Sequence, residues 1–232
     1  LSHIDITARR QQKLARDREA AAAARAQALS ALSDLGALSA DALKSGLDDS
    51  HPGVRRNARR VGAHLFNDHP TLGQRAVALL NDADAHVQQQ AAYALGAWTH
   101  KEAGRALGRF LVKNAGRPYL RAAALTSAGA LPHEALLAVL GSERTPVTSA
   151  LSAELMGMLG ADAKKLVPPV LTRIASKPAN GKHYQGCEFH AATRLMEAMD
   201  DDDAARALVP AMLVKARDTV IDGKRDLETR LS

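Results

Sequence analysis

Leu47-Asp48-Asp49-Ser50-His51-Pro52-Gly53-Val54-Arg55 returns 33 residues later as Leu80-Asn81-Asp82-Ala83-Asp84-Ala85-His86-Val87-Gln88. Leu47 matches Leu80, Asp49 matches Asp82 and Val54 matches Val87. The register runs on through the segment that follows. Val54, Ala58, Val61 and Leu65 fall on Val87, Ala91, Ala94 and Trp98, and then on Leu120, Ala124, Ser127 and Leu131. Spacings of 4, 3 and 4 place each set on one face of a helix. A turn followed by an amphipathic helix, repeated at a fixed period, is the mark of a repeat architecture.

Composition agrees. The 232 residues include 47 Ala and 31 Leu, against 12 Val and 4 Ile, and aromatics make up only 3%. Ala and Leu favour helices, whereas β-branched and aromatic residues favour strands. An all-β fold is excluded. With 46% apolar residues and a net charge of +6, the chain has the composition of a folded protein rather than a disordered one. At roughly 150 residues per domain it holds one or two domains.

A second helix type alternates with the first. Leu72, Ala76, Leu79 and Leu80 make one apolar face, and Ala103, Leu107, Phe110 and Leu111 another. Leu166-Val167-Pro168-Pro169-Val170-Leu171 resembles Leu208-Val209-Pro210-Ala211-Met212-Leu213 at a spacing of 42. The predicted helices are 5–32, 39–48, 52–66, 71–80, 84–98, 101–114, 117–131, 133–141, 146–160, 163–176, 184–199 and 203–220. Each pair leaves one face uncovered, so neighbours must stack. The expectation is an all-α, right-handed α-solenoid of about six helical pairs in a single domain over residues 1–232. Residues 1–38 would form a capping helix region, 39–221 the repeats and 222–232 a tail. Its core should include Val54, Ala58, Leu65, Val87, Ala91, Leu95, Trp98, Leu120 and Ala124.

The pattern of Asp, short turn, Val-Arg, then Ala and Leu at helical spacing resembles HEAT repeats. Asp49 to Leu65, Asp82 to Trp98 and Tyr119 to Leu131 carry the likeness. A narrower resemblance rests on Ala26-Gln27-Ala28-Leu29, Leu35-Gly36-Ala37-Leu38 and Asp49 to Arg56. These look like the HEAT segment of large secreted planctomycete-type proteins, in which it joins a sugar-dehydrogenase-like β-propeller to a c-type cytochrome domain. That resemblance implies a periplasmic or secreted location; without it, a cytoplasmic one is expected. No C-x-x-C-H haem-attachment sequence and no propeller repeat occur here, so no catalytic residue carries over. The opening Leu1-Ser2-His3, without methionine or an apolar signal core, is read as a processed or excised segment of a larger protein.

The polar side of the repeats is the candidate binding surface. Arg55, Arg56, Arg59 and Arg60 lie off the apolar stripe, and Gln88, Gln89, Tyr93 and Arg121 take equivalent places. Three uses compete for the arginines: pairing with Asp49, Asp82 or Asp84 of adjacent units, contact with a partner protein, and contact with nucleic-acid phosphate. Basic residues give way to Gln88, Gln89, Gln90, Ala122 and Ala123 in the next units. That fading charge and the scarcity of aromatics speak against a phosphate track or a base-stacking platform. The expected role is a non-enzymatic scaffold contacting a protein, or neighbouring domains of a parent chain, through Arg55, Arg56, Arg59, Gln88, Gln89 and Arg121. The alternative is a nucleic-acid-binding solenoid using the Arg55 to Arg60 face, similar in class to HEAT-fold DNA glycosylases. HEAT-like pigment lyase subunits share the architecture, but no residue here speaks specifically for them.

Other clusters read as structural. His183, Cys187 and His190 make the best zinc-like set, but lack an evident fourth ligand. His133-Glu134 is a lone pair where di-iron sites need several, and suits a helix start. His51 and His86 lie at turns with capping roles, and His64 and His69 are poorly spaced for a shared metal. Asp48 and Asp49 suit turn hydrogen bonding, and Asp200 to Asp203 suit a helix cap. No nucleophile elbow, P-loop or dinucleotide fingerprint occurs. Neither a metal, a cofactor nor membrane insertion is expected.

Overall fold

The computed structural model describes residues 3–142 and 145–159. These residues form helices and short 3-10 turns with no strand. The helices are α1 (His3–Arg16), α2 (Ala22–Asp34), α3 (Ala40–Leu47), α4 (Pro52–Gly62), α5 (Pro70–Ala78), α6 (Ala85–Leu95), α7 (Lys101–Lys113), α8 (Pro118–Ala128), α9 (Pro132–Leu140) and α10 (Pro146–Gly157). Consecutive helices pair. The odd-numbered helices stack α1 on α3, α3 on α5, α5 on α7 and α7 on α9, while α2, α4, α6 and α8 stack as a second layer. This is the all-α helical-repeat architecture that the 33-residue register predicts.

Local chemistry fixes where the helices start. Proline occupies the first turn of α4, α5, α8, α9 and α10, where its missing amide hydrogen costs nothing and its φ already suits the helix. His51 caps α4 by accepting the Gly53 amide on Nδ1 at 3.1 Å, as its turn position predicted. Asp84 caps α6 by accepting the His86 and Val87 amides at 2.9 and 3.0 Å.

Two expectations need correction here. The helix predicted over 5–32 is two helices, α1 and α2, packed on each other. The break falls at Asp17, whose Oδ1 accepts the Glu19 amide at 3.1 Å. Arg18 is thereby turned out of helical register to reach Asp49 at 2.9 Å and the Ser45 carbonyl at 3.2 Å. The N-terminal region is thus a helical pair of its own. At its far end α2 stops at Gly36, whose φ of +63° lets the Ala37 amide close on the Leu32 carbonyl at 2.8 Å. The second correction is Leu65. It is half-buried, because residues 63–65 tighten into a 3-10 turn. Three residues per turn rotates Leu65 off the stripe, and Phe66 enters the core instead. The helices predicted over 163–176, 184–199 and 203–220, with the two proline-containing segments, lie outside the described residues.

Val54, Ala58, Val87, Ala91, Leu95, Leu120 and Ala124 are buried as expected. Trp98, at 2% exposure, is the largest side chain in this core. One face of its indole lies on α5 at Gly73, where a Cβ would fall 2.5 Å from the ring carbons. The His100 imidazole also stacks on the ring, with centroids 4.9 Å apart. Trp98 therefore joins α5 to the end of α6 through a contact that only glycine permits. Trp98→Ala should cost about 3–5 kcal/mol in stability, measured by denaturant unfolding. An unchanged midpoint would mean that the indole is solvent-exposed and the register wrong.

Candidate binding surface

The turns entering α4 and α6 carry the same device. Asp49 and Asp82 are 33 residues apart, and each turns Oδ1 to the amide two residues on, His51 at 2.8 Å and Asp84 at 2.9 Å. Each then receives a guanidinium from the preceding even-numbered helix. Arg25 of α2 donates Nε and Nη2 to Asp49 at 2.7 and 2.8 Å. Arg55 of α4 donates the same two groups to Asp82, both at 2.7 Å. Both pairs have the two-pronged geometry that suits guanidinium and carboxylate. Arg55 Nη1 also donates to the Asp49 and Ser50 carbonyls at 2.9 Å each, which ties one repeat's turn to the next.

The electrostatics follow from burial and pairing. Burial alone pushes the Asp49 and Asp82 carboxyls up, but the arginine and amide hydrogen bonds outweigh it and hold both below the ordinary range. The hydrogen bonds to Asp49 and Asp82 raise Arg25 and Arg55 above the usual guanidinium value, against the opposing effect of burial. Arg55 is thus an internal clamp, the inter-repeat pairing that was one of its three possible uses.

Arg59 departs furthest from the expected surface stripe. Its exposure is 0%. It runs beneath α6 and donates Nη1 to the Val87 carbonyl. Its Nε and Nη2 find no acceptor among the described residues. Burial pushes its pKa down to about 10, with the charge of Asp82 opposing the shift. The cause is lateral packing. Helix α4 touches α3, α2 and α6, so a residue off the apolar stripe can still be covered by the next repeat.

Two further predicted residues also make contacts within the solenoid. Gln88 donates Nε2 to the Asp82 carbonyl at 2.6 Å, and half-exposed Arg121 pairs with Glu154 of α10. Arg56 is exposed and Gln89 partly so. Beside them lie exposed residues that share their register. Positions 56, 89 and 122 are Arg56, Gln89 and Ala122, and positions 60, 93 and 126 are Arg60, Tyr93 and Thr126. Positions 86 and 119 add His86 and Tyr119. Tyr93 is 44% and Tyr119 79% exposed. The predicted contact set does not include Tyr93 or Tyr119, which the 33-residue period places beside it. Among the described residues, these positions form a narrow exposed arc on α4, α6 and α8. A groove of about 510 Å³ opens in it between the starts of α6 and α8.

Among the described residues, no three His, Cys, Asp or Glu side chains gather as a metal site. Glu134 pairs with Arg105 at 2.6 Å and lies 3.7 Å from His133, at the start of α9. His183, Cys187, His190 and Asp200 to Asp203 lie outside the described residues. No helix among the described residues is long and apolar enough to cross a membrane.

No family model and no curated protein matches the chain. Among solved structures it is similar to a chain of the complex of CpcE and CpcF of phycocyanin lyase from Nostoc sp. PCC7120. The identity is 19%, the TM-score 0.49, and the match covers 89% of this chain and 94% of that one. The likeness is one of fold. That neighbour is named as part of a lyase, and the expectation that this chain is not an enzyme is withdrawn.

Two stability predictions follow from the clamp. Asp49 and Asp82 sit below the 3.8 of an unperturbed carboxylate, so the unfolded chain binds more protons than the folded one. Their contribution is complete above that value and is lost as pH falls through the lower folded values. Asp82→Asn keeps a side-chain oxygen for the turn but removes the charge. It should cost about 3 kcal/mol near neutral pH and make the acid decline shallower; an unaltered acid profile would show that Asp82 is not held low. Arg59→Met should raise stability by about 1 kcal/mol, because a buried charge with unmet donors is replaced by an apolar chain of similar length. A loss of more than about 2 kcal/mol would reveal a stabilising partner for the guanidinium.

Proposed function

We propose that the chain is a helical-repeat module that binds another protein, or a neighbouring domain of a longer parent chain, across the exposed arc of α4, α6 and α8. The observation that carries this reading is the placement of the aromatics. Phe66, Trp98 and Phe110 are buried, while Tyr93 and Tyr119 stand exposed on adjacent helices. In a chain with 3% aromatics, two exposed tyrosines beside Arg56, Arg60 and Gln89 give a surface of the residue types that dominate protein-binding energetics. The arc sits on regular helices held by the Arg55–Asp82 clamp, so it needs little ordering on binding. The planctomycete-type resemblance supports a domain of the same parent chain as the occupant.

The nucleic-acid alternative is weakened by the same geometry. Of the four arginines on α4, Arg55 is neutralised by Asp82 and Arg59 is buried. Arg56 and Arg60 remain on the surface, and two phosphate contacts supply little affinity near physiological salt.

A photo-crosslinking amino acid placed at position 93 or 119 of the full chain, in its native host, tests the reading. Adducts with one defined protein at both positions, absent when the crosslinker replaces Arg105 on α7, are the expected result. Adducts with nucleic acid, or the same adducts from position 105, would overturn it.

A further inference from the structure

The third junction of the solenoid breaks the charge pattern of the first two. The register that places Asp49 and Asp82 before α4 and α6 places Ala115 before α8. The cap position held by His51 and Asp84 is held by Arg117. Both carboxylates found at the start of α6 are thus absent at the start of α8, and a guanidinium stands there. Arg25, Arg55 and Arg121 each hold a carboxylate. Arg117 instead contacts two neutral amide oxygens, Gln88 Oε1 and Asn114 Oδ1, both at a long 3.3 Å.

Arg117 lines the groove of about 510 Å³, together with Ala85, His86, Gln89, Tyr119 and Leu120. No carboxylate is among the lining residues. The nearby Asp84 is turned to the His86 and Val87 amides and caps α6. The groove therefore has one guanidinium, several other hydrogen-bonding groups, and apolar area from Pro118 and the Tyr119 ring. That combination complements a carboxylate next to an apolar side chain.

We propose that this groove takes an acidic segment of the partner protein, seating an Asp or Glu carboxylate on Arg117 and an adjacent apolar or aromatic side chain against Pro118 and Tyr119; it rests on the protein-binding reading above. The segment supplies from outside the carboxylate that Asp49 and Asp82 supply from within at the first two junctions. Its specificity is for charge next to apolar bulk, since Arg117 offers a forked donor and Tyr119 a ring wall.

Random peptides displayed on phage and selected on the full-length chain test this, with fluorescein-labelled synthetic copies for affinity. Selected peptides should carry Asp or Glu beside Leu, Phe, Tyr or Trp. Arg117→Glu should weaken their binding by about tenfold or more, Tyr119→Ala should weaken it as well, Arg117→Lys should fall between, and Arg105→Ala on α7 should leave it unchanged. Circular dichroism on each variant confirms that its helices are intact. Enrichment of basic peptides, or acidic peptides that bind Arg117→Glu as well as the parent chain, would overturn the proposal. If binding is instead lost only in Tyr93→Ala or Arg56→Glu, the exposed arc stands as a protein surface and the acidic-segment assignment fails. If no selected peptide responds to any of these variants, both readings fail. Displacement of the peptide by random single-stranded DNA at equal concentration would favour phosphate over carboxylate and overturn the assignment.

Discussion

The pairing of Arg55 with Asp82, and its counterpart of Arg25 with Asp49, is the contact on which the stacking of the repeats depends. The faces that meet between repeats are rich in alanine, including Ala58, Ala91, Ala92, Ala123 and Ala124. Alanine lets helices approach closely and buries apolar area, but its shape distinguishes poorly between one register and the next. A two-pronged guanidinium-carboxylate contact is directional and satisfied at one offset. Asp82 serves three purposes at once. It fixes the turn into α6 through the Asp84 amide, it anchors Arg55, and its charge steadies the buried Arg59. Removing it would therefore disturb a turn, an interface and a buried charge together.

The clamp also governs what is left for partners. Arg55, Gln88 and Arg121 share a register position, and all three contact other parts of the solenoid, so this position on α4, α6 and α8 is engaged internally. Among the described residues, the arc at positions 56, 60, 89, 93 and 119 remains open. The pairing chemistry changes along the stack. Carboxylates in the turns serve the first two junctions, Ala115 and Arg117 take their places at the third, and beyond it Arg121 of α8 reaches Glu154 of α10. The groove and the more exposed of the two tyrosines sit where that change occurs. Surface variety in a regular fold thus arises where the repeat departs from itself.

Much of this was legible from residues alone. A period of 33 with 4, 3, 4 spacing locates α4, α6 and α8, and the separate apolar faces of the second helix type locate α5 and α7, because the apolar stripe is a property of one helix and needs no knowledge of its neighbours. The misreadings share a cause. Arg59 looks exposed on a helical wheel, but a solenoid helix is covered on its flanks as well as on its apolar face, and that lateral cover comes from residues 28 positions away. The break between α1 and α2 was hidden by the alanine run Ala20 to Ala24, whose high helix propensity masks the turn that Asp17 makes and Arg18 stabilises through Asp49. In both cases the missing information was tertiary, a partner distant in sequence overriding a local preference.

Net charge is a weak guide to the partner of this chain for the same reason. The excess of 31 basic over 25 acidic residues suggests an affinity for anions in general. Arg25 and Arg59 are buried, however, and Arg55 is mostly covered by its pairing with Asp82. Their charge is neutralised or screened by the fold before any partner meets it. A surface field depends on which charges lack an internal counter-ion, and among the described residues at the junction of α6 and α8 that means Arg117, which meets only the amide oxygens of Gln88 and Asn114. On the binding reading proposed above, recognition would then depend less on overall basicity than on the place among the described residues where the turn carboxylates of Asp49 and Asp82 give way to Ala115 and Arg117.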